Sequence, residues 1–207
     1  MERSHIPRKA IYRLSTYNRC LQRLEANEVE TVSSSALAKA AGVKPAQLRR
    51  DLTYIGQFGT RGLGYPVETL RTSIREILGR EHLVPVILVG AGNLGSALLR
   101  YDGFQKEGFE VIAAFDAHPE AASERDLPVQ VLDYSTVAAY IREHSVRMAI
   151  LCVPAGHAQE VTNDLIGAGI QGILNFSPSV IQVPENVTVN NVDLALELEN
   201  LSYFIGL

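Results

Sequence analysis

The stretch VILVGAGNLGSALL, residues 86–99, restricts the fold of this chain more than any other. A short β-branched run over residues 84–89 predicts a buried parallel strand, and residues 93–100 predict the helix that follows it. Of the glycines between them, Gly90 permits a tight turn, Gly92 lets the backbone approach a pyrophosphate, and Gly95 lets helix and strand pack closely. The helix start adds free N–H donors. The candidate coenzyme contacts in this turn are Gly90, Ala91, Gly92, Asn93, Leu94 and Gly95.

A carboxylate at the end of the next predicted strand indicates which coenzyme the turn accepts. The strand over residues 109–115 ends in Asp116, 21 residues after Gly95. A carboxylate there can accept hydrogen bonds from both hydroxyls of the adenosine ribose, and it would repel a 2′-phosphate. Taken alone, Asp116 is better explained as a strand-end cap. Behind an intact glycine turn, it predicts NADH and NAD+ rather than their phosphorylated forms.

The chain after the glycine turn continues to alternate between predicted strands and helices. Further strands are expected over residues 129–132, 147–153, 172–176 and 187–189, and helices over residues 135–143 and 157–168. This alternation predicts an α/β fold of the Rossmann type, a doubly wound parallel sheet that binds ligands at the carboxyl ends of its strands. Val153 and Pro154 follow such a strand and are expected near the nicotinamide. Cys152 is better explained as a small buried hydrophobe.

Charge divides the chain into two parts of opposite sign. Residues 1–81 carry 14 Lys and Arg against 8 Asp and Glu, and residues 82–207 carry 5 against 15, within a net charge of -4. A basic module joined to an acidic one is typical of a DNA-binding head on a body with another task, although unevenly scattered surface charge is an alternative. The expected domains are a DNA-binding head over residues 1–80, a coenzyme-binding body over residues 81–192 and a C-terminal helix over residues 193–207.

The head shows the pattern of a winged helix-turn-helix domain. A first helix is predicted over residues 7–26, and two shorter helices, over residues 36–41 and 45–55, are joined by a turn at Gly42; the second of them is basic. The glycine-rich segment over residues 56–66 is either a wing with Arg61 at its tip or a flexible linker. A helix over residues 66–79 then leads to the body. The candidate contacts with double-stranded DNA are Ser34, Lys44, Gln47, Arg49, Arg50, Tyr54 and Arg61.

Three stretches, QLRRDLTYIGQFGTRGLGY, VGAGNLGSALLRYDGF and NVDLALELENLSYF, together resemble the Rex family of redox-sensing transcriptional repressors. The resemblance extends from Pro7 to the C-terminus. It implies a homodimer that binds a two-fold symmetric operator, senses the ratio of NADH to NAD+ and releases the DNA when NADH is bound.

The same resemblance implies roles for individual residues. Arg49, Arg50 and Arg61 would face DNA. Arg19, Tyr101 and Asp193 would belong to a switch between domains and subunits, and Leu194 would lie near the nicotinamide of the partner subunit.

The last predicted helix carries an apolar stripe that must be buried somewhere. Leu194, Leu198, Leu201 and Ile205 fall on one face, with Phe204 beside it. The helix's own domain and a partner subunit are both compatible with this pattern. Only the resemblance, which implies that the subunits of a dimer exchange this helix, favours the partner.

A small NAD-dependent oxidoreductase is the rival hypothesis, and three features disfavour it. No lysine stands four residues after a tyrosine, and no stretch is left for a substrate domain. Only His157 among the scattered histidines is expected near the nicotinamide, and a helix-start residue near phosphates or solvent explains it better than a general base does. No catalytic residue is therefore expected. A third alternative, a nucleotide-binding subunit that acts through protein contacts alone, would leave the basic head without a task.

The chain begins without the apolar core of a signal peptide and contains no apolar run of about 18 residues, so a cytoplasmic protein with no membrane contact is expected. Cys20 and Cys152 lie far apart and lack the neighbours of a metal site. Neither a disulfide nor a bound metal is expected.

Overall fold

The computed structural model describes residues 6–56, 59, 63–79, 82–123 and 125–206 of the chain. The chain divides into two compact units, Met1–His82 and Leu83–Leu207, each with its own buried apolar core. None of the described helices is long and apolar enough to cross a membrane.

Four helices and a small antiparallel sheet make up the described part of the first unit. The elements are α1 (Arg8–Ala26), β1 (Thr31–Val32), α2 (Ser34–Ala40), α3 (Pro45–Leu52), β2 (Tyr65–Pro66) and α4 (Val67–Leu78). Local sequence explains where they begin and end. The Ser33 hydroxyl accepts the Ala36 N–H at 3.1 Å and caps α2, Pro45 occupies the first turn of α3, and Gly79 ends α4 in a left-handed conformation.

The core of the first unit packs the helix-turn-helix pair, α2 and α3, against α1 and α4. Its largest members are Leu14, Tyr17, Leu21, Leu37, Leu48, Leu70 and Ile74. The small sheet pairs Thr31 with Pro66 and Val32 with Tyr65. This pairing brings the end of the glycine-rich segment back beside the residue that caps α2.

A parallel sheet forms the centre of the second unit. Its six described strands are β3 (Val84–Val89), β4 (Phe109–Asp116), β5 (Val131–Asp133), β6 (Met148–Leu151), β7 (Gly172–Asn175) and β8 (Thr188–Asn191), in the order β5-β4-β3-β6-β7-β8. All neighbouring strands run parallel. After β3, the chain adds β4 and β5 on one side of it, and then β6, β7 and β8 on the other side. A reversal of this kind leaves a crevice at the carboxyl ends of the strands.

Helices lie on both faces of the sheet. They are α5 (Asn93–Leu99), α6 (Gly103–Lys106), α7 (Pro119–Ser123), α8 (Val137–Glu143) and α9 (Ala155–Ala168). The alternation of side chains along β3 explains the two layers. Ile87 and Val89 share a buried cluster with residues of α8 and α9, whereas Val86 and Leu88 share one with Leu99 of α5. This is the doubly wound parallel α/β fold that the sequence predicts.

Several element boundaries differ from the predicted ones. β5 occupies Val131–Asp133 rather than residues 129–132, and Tyr134–Thr136 forms a 3₁₀ turn ahead of α8, because the Asp133 carboxylate accepts the Ser135 N–H and caps it. α3 ends at Leu52 rather than at residue 55, and α9 begins at Ala155 rather than at residue 157. The helices α6 and α7, of four and five residues, were not predicted because they are too short for a periodic pattern.

The C-terminal helix, α10 (Leu194–Ile205), has no buried residue in the chain. Asp193 begins it by accepting the N–H groups of Ala195 at 2.9 Å and Leu196 at 3.1 Å, and Gly206 ends it. Its large apolar side chains are 52% to 81% exposed: Leu194, Leu196, Leu198, Leu201, Tyr203, Phe204 and Ile205. The sequence leaves open whether the helix's own domain or a partner subunit buries this apolar stripe. In the structure, the helix's own domain does not bury it.

Candidate functional site

A cavity of about 700 Å³ opens at the carboxyl ends of β3 and β6, where the strand order reverses. Ligand pockets in proteins commonly have this size. Six predicted coenzyme contacts line the cavity: Gly90, Gly92, Leu94, Asp116, Val153 and Pro154. Ala91, Asn93 and Gly95 belong to the same turn without forming the wall. Other residues that line the cavity were not predicted from the sequence, among them Ala117, His118, Tyr134, Phe176 and Pro178.

The glycines of the turn have the geometry that their mechanical tasks require. Gly90 has φ +96°, and a Cβ there would lie 2.7 Å from the main chain of Cys152. A Cβ on Gly95 would lie 1.9 Å from the Gly90 carbonyl oxygen, so α5 packs directly against the turn. Gly92 differs, because a Cβ there would meet nothing within 4 Å. Its backbone is open to the cavity, which is what close approach of a pyrophosphate needs.

The start of α5 also suits an anion. Its cap residue is Gly92, and no side chain of the described residues caps this end by a hydrogen bond. N–H groups at a helix start that lack internal partners, together with the helix dipole, favour negatively charged phosphates. The turn therefore fits the dinucleotide that the sequence predicts.

Asp116 ties the end of β4 to the glycine turn. Its Oδ2 accepts the Ala91 N–H at 2.7 Å and its Oδ1 accepts the His118 N–H at 2.9 Å. Each carboxylate oxygen can accept a further hydrogen bond, so the side chain keeps acceptors for ribose hydroxyls. Asp116 thus combines the strand-end cap and the position facing the cavity, which the sequence presents as alternatives.

The carbonyl group of Ala91 is held from the other side of the turn. It accepts the Ser96 hydroxyl at 2.8 Å and lies 3.4 Å from Arg125 Nη1, which also donates to Ser96 Oγ at 3.0 Å. Side chains therefore satisfy both polar groups of the Ala91 backbone, and this residue is buried. No sequence signal identifies Arg125, because it follows α7 and meets the turn only through the fold.

The wall near the predicted nicotinamide position is formed by the loops after β6 and β7. Val153 and Pro154 come from the first loop, and Phe176 and Pro178 from the second. Cys152 also lines the cavity, and burial raises the pKa of its thiol to about 12. The thiol is therefore protonated at neutral pH, in accord with its interpretation as a small hydrophobe rather than a nucleophile.

Several titratable side chains line the cavity. His157 and Glu160 line the cavity from the first turns of α9. The Tyr134 hydroxyl donates to Asp164 Oδ2 at 2.8 Å. The pKa of Tyr134 is raised above its usual value, mainly by burial and secondly by this hydrogen bond. A tyrosine held in its protonated form in this way is a poor general base at neutral pH.

The basic face of α3 is exposed on the first unit. Lys44 precedes the helix, and Arg49 and Arg50 lie in its last turn; all three are exposed, as is Tyr54 just beyond the helix. Arg49 Nη1 donates to the Ser34 hydroxyl of α2 at 3.2 Å, which links two of the predicted DNA contacts. Gln47 is less free, because its amide nitrogen donates to Asp51 at 2.9 Å.

Asp51 is a buried acid that sequence analysis missed. It is 1% exposed and accepts hydrogen bonds from Arg13 Nε and Nη2, both at 2.6 Å, and from the Tyr17 hydroxyl at 2.8 Å. Burial by itself raises the pKa of Asp51, but the hydrogen bonds from Arg13, Tyr17 and Gln47 outweigh it and hold the pKa below its usual value. This network fixes α3 against α1.

The remaining predicted residues are not gathered into one described site. Arg61, the predicted wing tip, lies outside the described residues. Arg19 is exposed on α1 of the first unit, and Tyr101 and Leu194 are 57% and 61% exposed in the second. Asp193 is engaged as the cap of α10. A joint role for these switch residues stays a prediction.

Comparison with known families matches both parts of the chain. The model "Putative DNA-binding protein N-terminus" matches residues 5–53, and the model "CoA binding domain" matches residues 82–179. The first match contains α1 to α3, and the second contains the sheet from β3 to β7.

Curated relatives and solved structures match over almost the whole chain. The redox-sensing transcriptional repressor Rex of Syntrophobacter fumaroxidans is 44% identical over 100% of this chain and 99% of its own length. That of Pelotomaculum thermopropionicum is 42% identical over 98% and 95%. A structure of RSP in complex with β-NAD+ and operator DNA is 37% identical, with a TM-score of 0.90 over 98% of this chain and 93% of its own. RSP in complex with β-NADH is 36% identical, with a TM-score of 0.85 over 98% and 95%.

Proposed function

The chain belongs to the Rex family of redox-sensing transcriptional repressors, and on that premise we propose that its first unit binds operator DNA and its second unit binds NADH or NAD+. It is a transcriptional regulator rather than an enzyme. The observation that carries the proposal is the occurrence, in one chain, of an exposed basic recognition helix and a cavity built around a dinucleotide-binding glycine turn.

The residues of the turn would hold the dinucleotide. Gly92 and the start of α5 present backbone to the pyrophosphate, and Asp116 accepts the ribose hydroxyls while it holds the Ala91 N–H. Val153 and Pro154, which line the cavity, would lie beside the nicotinamide. The bound dinucleotide acts as an effector, and its nicotinamide ring carries a positive charge only in the oxidised form, NAD+.

The exposed residues of the head would contact the operator. α3 would enter the major groove with its exposed face, which carries Arg49 and Arg50, and the Ser34 hydroxyl accepts a hydrogen bond from Arg49. Lys44, Gln47 and Tyr54 flank this face. The predicted wing residue Arg61 would add a contact with the minor groove of the operator.

We propose a homodimer in which the subunits exchange α10. This helix exposes seven large apolar side chains, and an exposed apolar patch of this kind marks an interaction surface. The proposed domains are the head over residues 1–80, the body over residues 81–192 and the exchanged helix over residues 193–207. The proposed location is the cytoplasm, where operator DNA and the dinucleotides are both accessible.

The proposed switch is a change of dimer arrangement. In one arrangement, the two copies of α3 lie about one DNA turn apart, ~34–36 Å, and both enter the major groove. A dimer that holds NADH favours another arrangement, in which the two copies of α3 cannot both enter the major groove. Because coupling is reciprocal, operator DNA must weaken NADH binding by the same factor, typically ~5–150-fold.

One titration tests this function. DNA duplexes that the protein enriches from a random pool are labelled, and their binding is measured with increasing NADH and, separately, NAD+. Release by NADH at concentrations where NAD+ has little effect is the expected result. DNA binding that neither dinucleotide changes would refute redox sensing, and failure to enrich any duplex would refute operator binding by the first unit.

A further inference from the structure

Asn175, the last residue of β7, is a buried amide that neither the coenzyme contacts nor the DNA surface explains. It is 1% exposed. Its amide nitrogen donates to the Ser179 carbonyl oxygen at 3.0 Å and to Asn191 Oδ1 at 2.9 Å, and its Oδ1 accepts the Ser177 N–H at 2.9 Å. A carbonyl partner on one side and an N–H partner on the other fix the orientation of the amide. Both of its N–H donors are therefore committed inside the protein.

The bonds to Ser177 and Ser179 hold one wall of the coenzyme cavity. Phe176 and Pro178 line that wall, and Ser177 stands between them. The Ser177 hydroxyl donates to the carbonyl oxygen of Val153, which lines the cavity from the loop after β6. The loops after β6 and β7 are thus joined through Ser177, and Asn175 anchors the second loop to the end of the sheet.

The bond to Asn191 leads to the start of α10. Asn191 is the last residue of β8, and the next N–H along the chain, that of Val192, donates to the main-chain oxygen of Asn175 at 2.8 Å. Asp193, which caps α10, follows directly. Asn175 therefore binds, through its side chain and its main chain, the two residues that precede the cap.

We propose that Asn175 is a positioning residue that couples the coenzyme cavity to the start of α10. The proposal rests on the proposed function, in which α10 belongs to the dimer interface and the cavity holds NADH or NAD+. A shift of Phe176 or Pro178 must either break a hydrogen bond of the buried Asn175 amide or carry Asn191 and the helix cap with it. An unpaired amide in the interior is costly, so the second response is favoured.

The packing of the interior explains why the shift is not simply absorbed. Close-packed cores and interfaces respond to small displacements by changing between discrete arrangements rather than by deforming continuously. The exposed apolar face of α10 is the element that a new arrangement would reposition against the partner subunit. Occupancy of the cavity would in this way reach the dimer interface through the hydrogen bonds of Asn175.

Asn191 allows a test that does not disturb the core. Its side chain is exposed, whereas that of Asn175 is buried. Asn191→Ala removes the acceptor of the Asn175 amide, and Asn191→Asp keeps an oxygen that can accept the same bond. Thr188→Ala, at an exposed position on the same strand, is the matched control.

The measurement uses the full chain, NADH, and a labelled duplex enriched from a random pool by the unchanged protein. Coupling is the ratio of the duplex Kd values with and without saturating NADH, and NADH affinity is measured separately without DNA. Asn191→Ala should lower this ratio roughly fivefold, the factor that corresponds to one ordinary hydrogen bond, and leave NADH affinity without DNA nearly unchanged. Asn191→Asp and Thr188→Ala should keep the ratio of the unchanged protein.

Three results would overturn the proposal. The first is an unchanged ratio of duplex Kd values in Asn191→Ala. The second is a lower ratio accompanied by a matching loss of NADH affinity, because Asn175 would then only hold the cavity wall. The third is Asn191→Asp or Thr188→Ala behaving like Asn191→Ala. If NADH fails to release DNA from the unchanged protein, the proposed function fails as well, and this is known before any variant is compared.

Discussion

The carboxylate of Asp116 both closes the glycine turn and faces the coenzyme cavity, so a substitution there changes two properties together. Asp116→Ala removes the charge that would repel a 2′-phosphate and leaves the Ala91 N–H without its acceptor. We expect NADH to bind about tenfold more weakly and the preference for NADH over NADPH to narrow. Asp116→Asn retains an acceptor for the turn, so the preference should narrow with a smaller loss of NADH affinity.

Fluorescence titration of these variants with NADH and NADPH measures both effects. Glu110→Gln, at an exposed position near the other end of β4, is the control for loss of one negative charge from the same strand. A preference for NADH that persists in both Asp116 variants would remove this residue from the ribose site.

Loss of Arg13 from its ion pair with Asp51 should destabilise the head measurably. Arg13→Ala leaves Asp51 buried without a cation, and removal of one partner from a buried pair costs ~3–5 kcal/mol. Tyr17 and Gln47 still donate to the carboxylate, so we expect a loss of about 3 kcal/mol, at the lower end of that range. Urea unfolding monitored by circular dichroism measures it. The exposed Arg23→Ala on the same helix should change stability little, and an equal loss in both variants would contradict the expectation.

Asp51 should also make the head sensitive to acid. Its hydrogen bonds hold its pKa in the folded state below the usual value, so its contribution is present above the unfolded pKa, ~3.9, and is lost as pH falls through the folded pKa. We expect the free energy of unfolding to decrease as the pH is lowered from about 5. Asp51→Asn should be less stable at neutral pH but lose less on acidification. Urea midpoints across this range test it, and equal slopes for the two proteins would refute it.

Sequence predicts residue roles where the partners are neighbours in the chain. The glycine turn and the strand that ends in Asp116 form a local pattern, and most of these residues line one cavity. Asp51 was missed because Arg13 and Tyr17 stand 38 and 34 positions away. Arg125 was missed for the same reason, since only the fold brings it 34 positions back to Ala91.

At the scale of elements, α3 carries the clearest prediction. Arg49→Ala or Arg50→Ala should each weaken operator binding and reduce the slope of log K against log salt by about one, because each removes about one phosphate contact. NADH affinity should hardly change. Ser34→Ala should have a smaller effect, since Arg49 loses only the hydroxyl that holds it.

Fluorescence anisotropy at several salt concentrations measures these effects. Arg142→Ala, at an exposed position on α8 of the acidic second unit, controls for the loss of one cation. A variant of Arg49 or Arg50 that loses DNA and NADH binding together would indicate a folding defect instead of a lost contact.

Long amphipathic or β-branched segments define elements from sequence, but their ends depend on local hydrogen bonds. Residues 84–89 were predicted as a strand, and β3 has the same bounds. The start of α8 depends on the Asp133 cap and the 3₁₀ turn after it, which a periodic pattern does not register. α9 begins directly after Pro154, two residues before the predicted start, because proline fixes the backbone that leads into the first turn.

At the scale of the whole molecule, the two tasks are carried by units with separate cores and opposite charge. A basic head increases the rate and strength of encounter with DNA, whereas an acidic body discourages non-specific contact with it. Separate cores allow a variant to impair one binding activity and spare the other. We expect coupling between the two activities to act through the proposed dimer, for which α10 offers seven large exposed apolar side chains.

Removal of residues 193–207 tests the role of α10 directly. The large apolar side chains of this helix are at least 52% exposed in the single chain, and each such side chain is worth about 1.5–3 kcal/mol when fully buried, so their loss should shift the protein from dimer to monomer. Sedimentation velocity measures the shift. Leu201→Glu and Phe204→Glu should have the same effect without shortening the chain, whereas the apolar swap Leu201→Met should retain the dimer. Since a monomer presents only one α3, operator affinity should fall in parallel. A truncated chain that remains a dimer would refute the exchange of α10.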